Sequence, residues 1–328
     1  MPEIYGTLGP RCSDPDTLRA MLDAGMTGAR LNLSHITLPE AAAEIEALNN
    51  ASARCGVKAK LLIDMQGPEL RIGALARPLA LREGETVPLG AGGLPVPALV
   101  LPCLVTGAQV LLDDGKLLLT VTEADGKAVR ARVVRGGTLT GRKSVAVPGA
   151  ALHPPTMTEA DLANIAMAKD FGVTGVMQPF VRDRADLETV RAALDNAGGK
   201  DIRLFAKIEN REGVRNLDAL IEACDEIVVA RGDLGNAMPL WELPRVQKEI
   251  AEKCRAKGLA FMVVTQMLAS MEHAAVPTRA EVSDVFNAVL DGASSVMLTG
   301  ETAVGEYPVE AIRYLKNTAE EAVRYMNI

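Results

Sequence analysis

Apolar residues along this chain fall into two patterns, and the change between them divides it. In the first and last parts, short unbroken apolar runs alternate with longer stretches in which apolar residues recur every three or four positions. Residues 60–64, with Leu61, Leu62 and Ile63 in a row, are of the first kind. Residues 14–24 are of the second, with Leu18, Met21 and Leu22 at helical spacing, a cap at Ser13 or Asp14 and a stop at Gly25. Unbroken apolar strands separated by helices belong to a parallel sheet covered on both faces. The pattern predicts strands at 4–7, 29–33, 60–64, 175–178, 205–208, 227–230, 261–264 and 295–298. Between and after them it predicts helices at 14–24, 39–54, 158–171, 184–197, 214–224, 244–257, 279–290 and 308–325. Thr158 is the expected cap of its helix, with Asp161 in the capping-box position.

From Gly67 to about Gly149 the helical spacing disappears. Gly84, Gly90, Gly92, Gly93, Pro95, Pro97 and Pro102 punctuate short Val/Leu-rich runs, and Asp125-Gly126 between two of them is a hairpin signal. This stretch predicts a small all-β domain. The fold expected is therefore α/β: a (β/α)8 TIM barrel formed by 1–66 and 150–328, with 67–149 inserted after strand 3 as a lid. An open doubly wound sheet is the alternative, and against it stands the lack of a glycine-rich dinucleotide fingerprint.

In a parallel barrel, ligands bind where the strands end at their carboxyl side. Lys207 and Glu209 lie two apart on one strand and so point to one face. Arg231-Gly232-Asp233 follows the next strand. Glu209 and Asp233 make an oxygen pair suited to Mg2+ (or Mn2+), with water and substrate completing the shell; the alternative is a buried ion pair, Lys207–Glu209 or Arg231–Asp233. Other strand ends supply Arg30, Asn32, Ser34, His35, Asp64, Gln66, Glu69, Arg71, Asn210, Thr265, Gln266, Thr299, Glu301 and Thr302. Cations that hold phosphate and carboxylates that hold metal, gathered at one rim, suit phosphoryl transfer, where catalysis is mostly positioning and charge neutralisation.

Charge and composition narrow the field. Lys+Arg 35 against Asp+Glu 42 gives a net charge of −7 without a basic cluster, which argues against a nucleic-acid surface. Five scattered cysteines without CxxC spacing indicate neither a disulfide framework nor a zinc site. With no leader pattern at the N-terminus and no apolar run of membrane-spanning length, a cytoplasmic protein off the membrane is expected. His153 and His273 read as surface or loop residues, Trp241 and the methionines as core or interface fillers, and Arg182–Asp186 as a solvated helix start.

A set of motifs now resembles one family. Thr7-Leu8-Gly9-Pro10, Ala29-Arg30-Leu31-Asn32-Leu33-Ser34-His35, Gly67-Pro68-Glu69-Leu70-Arg71, Asp113-Asp114-Gly115-Lys116 and Val147-Pro148-Gly149-Ala150 are similar to pyruvate kinases. So are Lys207-Ile208-Glu209-Asn210, Ala230-Arg231-Gly232-Asp233-Leu234-Gly235, Thr265-Gln266-Met267-Leu268 and Pro277-Thr278-Arg279-Ala280-Glu281, followed by Asn287-Ala288-Val289-Leu290-Asp291-Gly292 and Gly300-Glu301-Thr302-Ala303. The resemblance runs through almost the whole chain in family order.

It implies phosphoryl transfer from phosphoenolpyruvate to ADP, giving pyruvate and ATP in glycolysis. Glu209 and Asp233 would then bind Mg2+, Lys207 and Arg30 would face the phosphoryl group, and Gly232, Asp233 and Thr265 would cradle the pyruvyl carboxylate. Asn32, Ser34, Asp64 and the backbone carbonyl of Met65 match a K+ site, and Glu69 implies a need for K+. Asn32, His35, Arg71 and Lys143 match nucleotide contacts, with Asp113-Asp114-Gly115 as a lid element and any homo-oligomer forming through barrel surfaces. Gln66 stands where the family has lysine, Ile36 for glycine, Pro179 for serine, Ala237 for glutamate and Ala146 for asparagine, so the acceptor half is where a changed preference is expected. The chain stops after the closing helix, where the family continues into an effector-binding domain, so loss of that regulation is expected. Two readings compete: a paralogue that binds phosphoenolpyruvate without turning it over, and a lyase using a pyruvate enolate as carbon nucleophile.

Overall fold

The computed structural model describes every residue except 35, 114, 125–128, 151–153 and 328. His35, Asp114, the Asp125-Gly126 hairpin signal and His153 therefore lie outside the described residues. The strands are β1 Glu3–Thr7, β2 Gly28–Asn32, β3 Lys60–Asp64, β4 Leu79–Leu81, β5 Thr86–Leu89, β6 Gln109–Leu112, β7 Leu117–Ala124, β8 Val129–Arg135, β9 Gly137–Leu139, β10 Val145–Ala146, β11 Gly175–Gln178, β12 Arg203–Ile208, β13 Glu226–Ala230, β14 Ala260–Val264 and β15 Ser295–Met297. Eight of them, in the order β1-β15-β14-β13-β12-β11-β3-β2, close into an all-parallel barrel. The expected (β/α)8 barrel is present, and the open sheet is excluded.

The chain forms two compact units: residues 1–67, 156–234 and 241–328, and residues 68–155 with 235–240. Within the barrel unit, the strand period of two sorts side chains. Tyr5, Leu62, Met177, Phe205, Val228, Ala230, Met262, Val264 and Met297 form one buried cluster. Gly28 is small because the Tyr5 ring fills its place: a Cβ there would meet Tyr5 Cε1 at 2.4 Å.

The β unit packs a separate apolar core, with Leu112, Leu119, Val121, Ala131 and Leu139 among its members, under a five-stranded antiparallel sheet ordered β10-β6-β7-β8-β5 and a two-stranded one, β4-β9. Between residues 68 and 150 its helical turn among the described residues is the 3-10 segment Leu101–Cys103, with Pro102 at its start.

Helices outside the β unit follow the expected spacing with informative differences. The helix Glu159–Met167 carries the predicted capping box, Thr158 with Asp161. Asp161 does more than cap: it is fully buried and also accepts from the backbone N–H groups of Gln66 and Gly67 at 2.9 and 3.0 Å, closing the turn after β3. The helix expected at 214–224 is instead two short ones, Arg211–Arg215 and Leu217–Ile221. Asn210 caps the first, and Asn216 leaves helical geometry between them, with its side chain donating to the Arg182 carbonyl at 2.8 Å. A helix not expected, Arg231–Ala237, follows β13 directly; two glycines in seven residues hid it from propensity.

Two assignments of bland residues need correction. Arg182 and Asp186 are a mostly buried pair rather than a solvated start: Arg182 donates to Asp186 through its backbone N–H, Nε and Nη2 at 2.9, 3.0 and 2.7 Å, and Thr156 Oγ1 adds a fourth bond at 2.6 Å. Trp241 is 83% exposed, so of its two readings, core or interface, the core one fails, while Met21, Met177, Met262 and Met297 are buried as expected.

Burial raises the Asp186 pKa, but the bonds from Arg182 and Thr156 outweigh it and the net shift is downward. A carboxylate depressed in the folded state stabilises the fold above its unfolded pKa of about 3.9, and that stabilisation is lost as pH falls through the lower folded value. Asp186→Asn is therefore expected to lower stability to urea at neutral pH and to narrow its gap to the unaltered protein at acid pH. A gap independent of pH would contradict this.

Candidate active site at the carboxyl rim of the barrel

The strand period that builds the barrel core also builds the site. Two residues beyond interior Leu62 comes Asp64, two beyond interior Phe205 comes Lys207, and two beyond Gly28 under the Tyr5 ring comes Arg30. Pairing of Met177 with both Asp64 and Phe205 sets the register that levels these strand ends. Lys207 Nζ donates to both oxygens of Asp64 at 3.1 Å and lies 2.9 Å from Glu209 Oε1. Arg30 Nε donates to Asp64 Oδ2 at 3.0 Å, and its Nη1 donates to Thr7 Oγ1 at 3.3 Å. Glu209 Oε2 accepts from the Phe180 N–H at 2.8 Å. Asp64 thus joins both cations that the sequence placed at this rim, a role that strand ends read one at a time did not reveal. The Lys207–Glu209 contact foreseen as an alternative to a metal site is present.

The charges do not balance evenly. Burial raises the Glu209 pKa, Lys207 opposes it, and the neighbouring charges of Asp233 and Asp64 raise it further; the net effect is upward. Asp64 goes the other way, since Lys207 and Arg30 overcome its burial. Lys207 is raised despite its own burial, because Asp64 and Glu209 favour the ammonium. Asp64 and Asp233 thus add to burial in disfavouring a second ionised carboxylate at Glu209, and a cation placed beside it would relieve that repulsion. Hard oxygen donors are what Mg2+ or Mn2+ would take, and Mg2+ commonly uses only one or two carboxylates with substrate and water. No group of three or more His, Cys, Asp or Glu side chains able to hold a metal ion occurs among the described residues.

The remaining expected positions divide among three places. Asn32 and Asp64 are register partners on β2 and β3, the Leu33 N–H donates to the Asp64 carbonyl at 2.9 Å, and Asn32 Oδ1 accepts from the Ser34 N–H at 3.1 Å. Met65 follows Asp64 and is buried. Gly232 and Asp233 lie in the first turn of the helix Arg231–Ala237, and Gly232 packs on Thr265: a Cβ added there would be 3.1 Å from Thr265 Cγ2. In the β unit, Arg71 and Ser144 form a β-bridge that sets Arg71 beside Lys143. Lys143 Nζ lies 2.9 Å from Asp113 Oδ1, and Arg71 donates to Glu69 Oε2 at 3.0 and 2.7 Å.

The closed parallel barrel, with charged side chains gathered where its strands end, defines a (β/α)8 barrel protein with its ionisable groups at the ligand-binding rim. The family model described as the pyruvate kinase barrel domain matches residues 2–92 and 95–312. The chain is 37% identical over 347 residues to a pyruvate kinase of Bacillus licheniformis, an alignment covering 99% of this chain and 58% of that protein. It is 38% identical to that of Geobacillus stearothermophilus, covering 99% and 58%, and 40% identical to that of Mycobacterium intracellulare, covering 95% and 68%. This chain belongs to the pyruvate kinase family. It spans 58% of the length of the Bacillus licheniformis and Geobacillus stearothermophilus relatives.

Proposed function

We propose that the chain transfers the phosphoryl group of phosphoenolpyruvate to ADP, forming pyruvate and ATP. The observation that carries this reading is the buried cluster in which Lys207 and Arg30 meet on Asp64 while Glu209 lies 2.9 Å from the same ammonium. When bound, a divalent ion held by Glu209 and Asp233 would supply positive charge to the carboxylate and bridging oxygen of phosphoenolpyruvate. Lys207 neutralises charge on the transferring group, and Arg30 contacts the same group from β2. Both are held by Asp64, so neither has to reorganise as charge shifts. Gly232, Asp233 and Thr265 cradle the carboxylate end of the substrate.

Under this reading Asn32, Ser34, Asp64 and the Met65 carbonyl hold K+, and Asn32, His35, Arg71 and Lys143 meet the nucleotide. Residues 67–149 act as the lid on a barrel made of 1–66 and 150–328. No helix among the described residues is long and apolar enough to cross a membrane, and we place the reaction in the cytoplasm.

The acceptor side supports a second, narrower reading, an altered nucleotide preference. Gly67, next to Gln66, touches Pro179: a Cβ on Gly67, whose φ is +58°, would lie 2.3 Å from Pro179 Cγ. Two departures from the family motifs are thus neighbours, and they remove a cation and a hydroxyl from one place.

A coupled assay with phosphoenolpyruvate, Mg2+, K+ and ADP or GDP, beside calorimetry of each ligand, separates the readings. Turnover supports the kinase, binding of phosphoenolpyruvate without turnover selects a non-catalytic protein, and carbon–carbon bond chemistry on pyruvate selects a lyase. Activity is expected to collapse in K+-free buffer. Equal rates with and without K+ would refute the monovalent site, because Glu69 adds no cation of its own.

A further inference from the structure

Thr265 and Gln266, where β14 ends, have φ of +78° and +55°. Left-handed backbone is costly for residues other than glycine and most of all for a β-branched one, and it persists only where its surroundings enforce it. The enforcing group is Arg231. Its Nε and Nη2 donate to the Thr265 carbonyl at 3.1 and 2.8 Å, and Nη2 also lies 2.9 Å from Met267 Sδ. Its Nη1 donates to both carboxylate oxygens of Asp284, at 2.8 and 2.7 Å. Asp284 belongs to the helix Arg279–Leu290, whose start is fixed by the Thr278–Glu281 capping box. Glu281 accepts in turn from Ser270 N–H and Oγ at 2.7 and 2.6 Å, so the segment after β14 is fastened to this helix twice. The next residue after Arg231 is Gly232, whose contact with Thr265 leaves no slack between the two strand ends.

We propose that Arg231, oriented by Asp284, is a positioning residue that holds Thr265 and Gln266 in left-handed conformation and thereby sets where the Thr265 hydroxyl stands. Its consequence for turnover rests on the kinase reading; the clamp itself does not. Asp284→Asn removes the charge that orients the guanidinium without changing side-chain size. It is expected to lower kcat by about 10- to 100-fold, with a smaller change in KM for phosphoenolpyruvate, as misplacement of a positioned group does. Gln266→Gly, which accepts left-handed backbone at little cost, should restore most of that loss in the same chain. A carboxylate that merely stabilised the fold would lower stability without any rescue from position 266.

A second readout needs no activity. In a urea double-mutant cycle, the destabilisation caused by Asp284→Asn is expected to be larger in the Gln266→Gly background, because with glutamine the loss of the clamp also releases backbone strain and with glycine there is little to release. Additive effects would overturn the proposal whether or not the protein turns over phosphoenolpyruvate, and should the asparagine variant not fold, Arg231→Lys serves in the same cycle. Absence of turnover in the unaltered chain, with non-additive stability, would overturn the kinase reading and leave the clamp standing.

Discussion

Lys207→Ala is expected to reduce phosphoryl transfer by at least about 100- to 1,000-fold, the usual cost of deleting one positioned donor to developing charge. The expectation rests on where the ammonium lies: 13% exposed, bonded to both oxygens of Asp64 and 2.9 Å from Glu209. Its loss removes charge from the transferring group and leaves two buried carboxylates facing each other with Arg30 alone nearby. Glu209, already raised by burial and by its acidic neighbours, loses the one cation that lowers its pKa. Divalent-ion binding should survive the substitution, since both carboxylates of the proposed site remain and the competing ammonium is gone, while turnover does not. Steady-state kinetics beside Mn2+ titration of the same variant tests both halves. Loss of Mn2+ binding with turnover retained would reverse the assigned roles.

Asp64→Asn is expected to have the largest effect on the fold of any change in the site. Asp64 is the anion on which Lys207 and Arg30 converge, and removing one partner of a buried ion pair typically costs about 3–5 kcal/mol because the other is left uncompensated. Two buried cations would be affected at once here. Asparagine retains one oxygen acceptor but no charge, so a lowered urea midpoint should be accompanied by loss of K+ activation. An Asp64→Asn protein as stable as the unaltered one, and still activated by K+, would show that Asp64 neither neutralises the cations nor takes part in the monovalent site.

The barrel was legible because its strands are unbroken apolar runs and its helices have helical spacing, so eight units could be counted before any contact was known. Lys207 was legible as a site residue because a cation within a buried run needs a partner. Its main partner was not: Asp64 lies 143 positions away, and only the register through Met177 brings the two together. The same long-range logic hid Asp161, which reads locally as a helix cap and also closes the turn at Gln66 and Gly67. Thr265 and Gln266 gave no local sign of left-handed backbone, because the usual sign is a glycine and the conformation is imposed from Arg231. Arg182 and Asp186 looked like a solvated charge run because spacing of four suits an exposed helix pair, whereas the packing around them sets their burial.

Mn2+ binding followed by electron paramagnetic resonance, with and without phosphoenolpyruvate, tests most directly whether a divalent ion sits between Glu209 and Asp233. Mn2+ is expected to bind the unaltered chain and to bind at least about tenfold more weakly to both Glu209→Gln and Asp233→Asn, as loss of a metal-site carboxylate should entail. Mn2+ affinity unchanged by either substitution would contradict this.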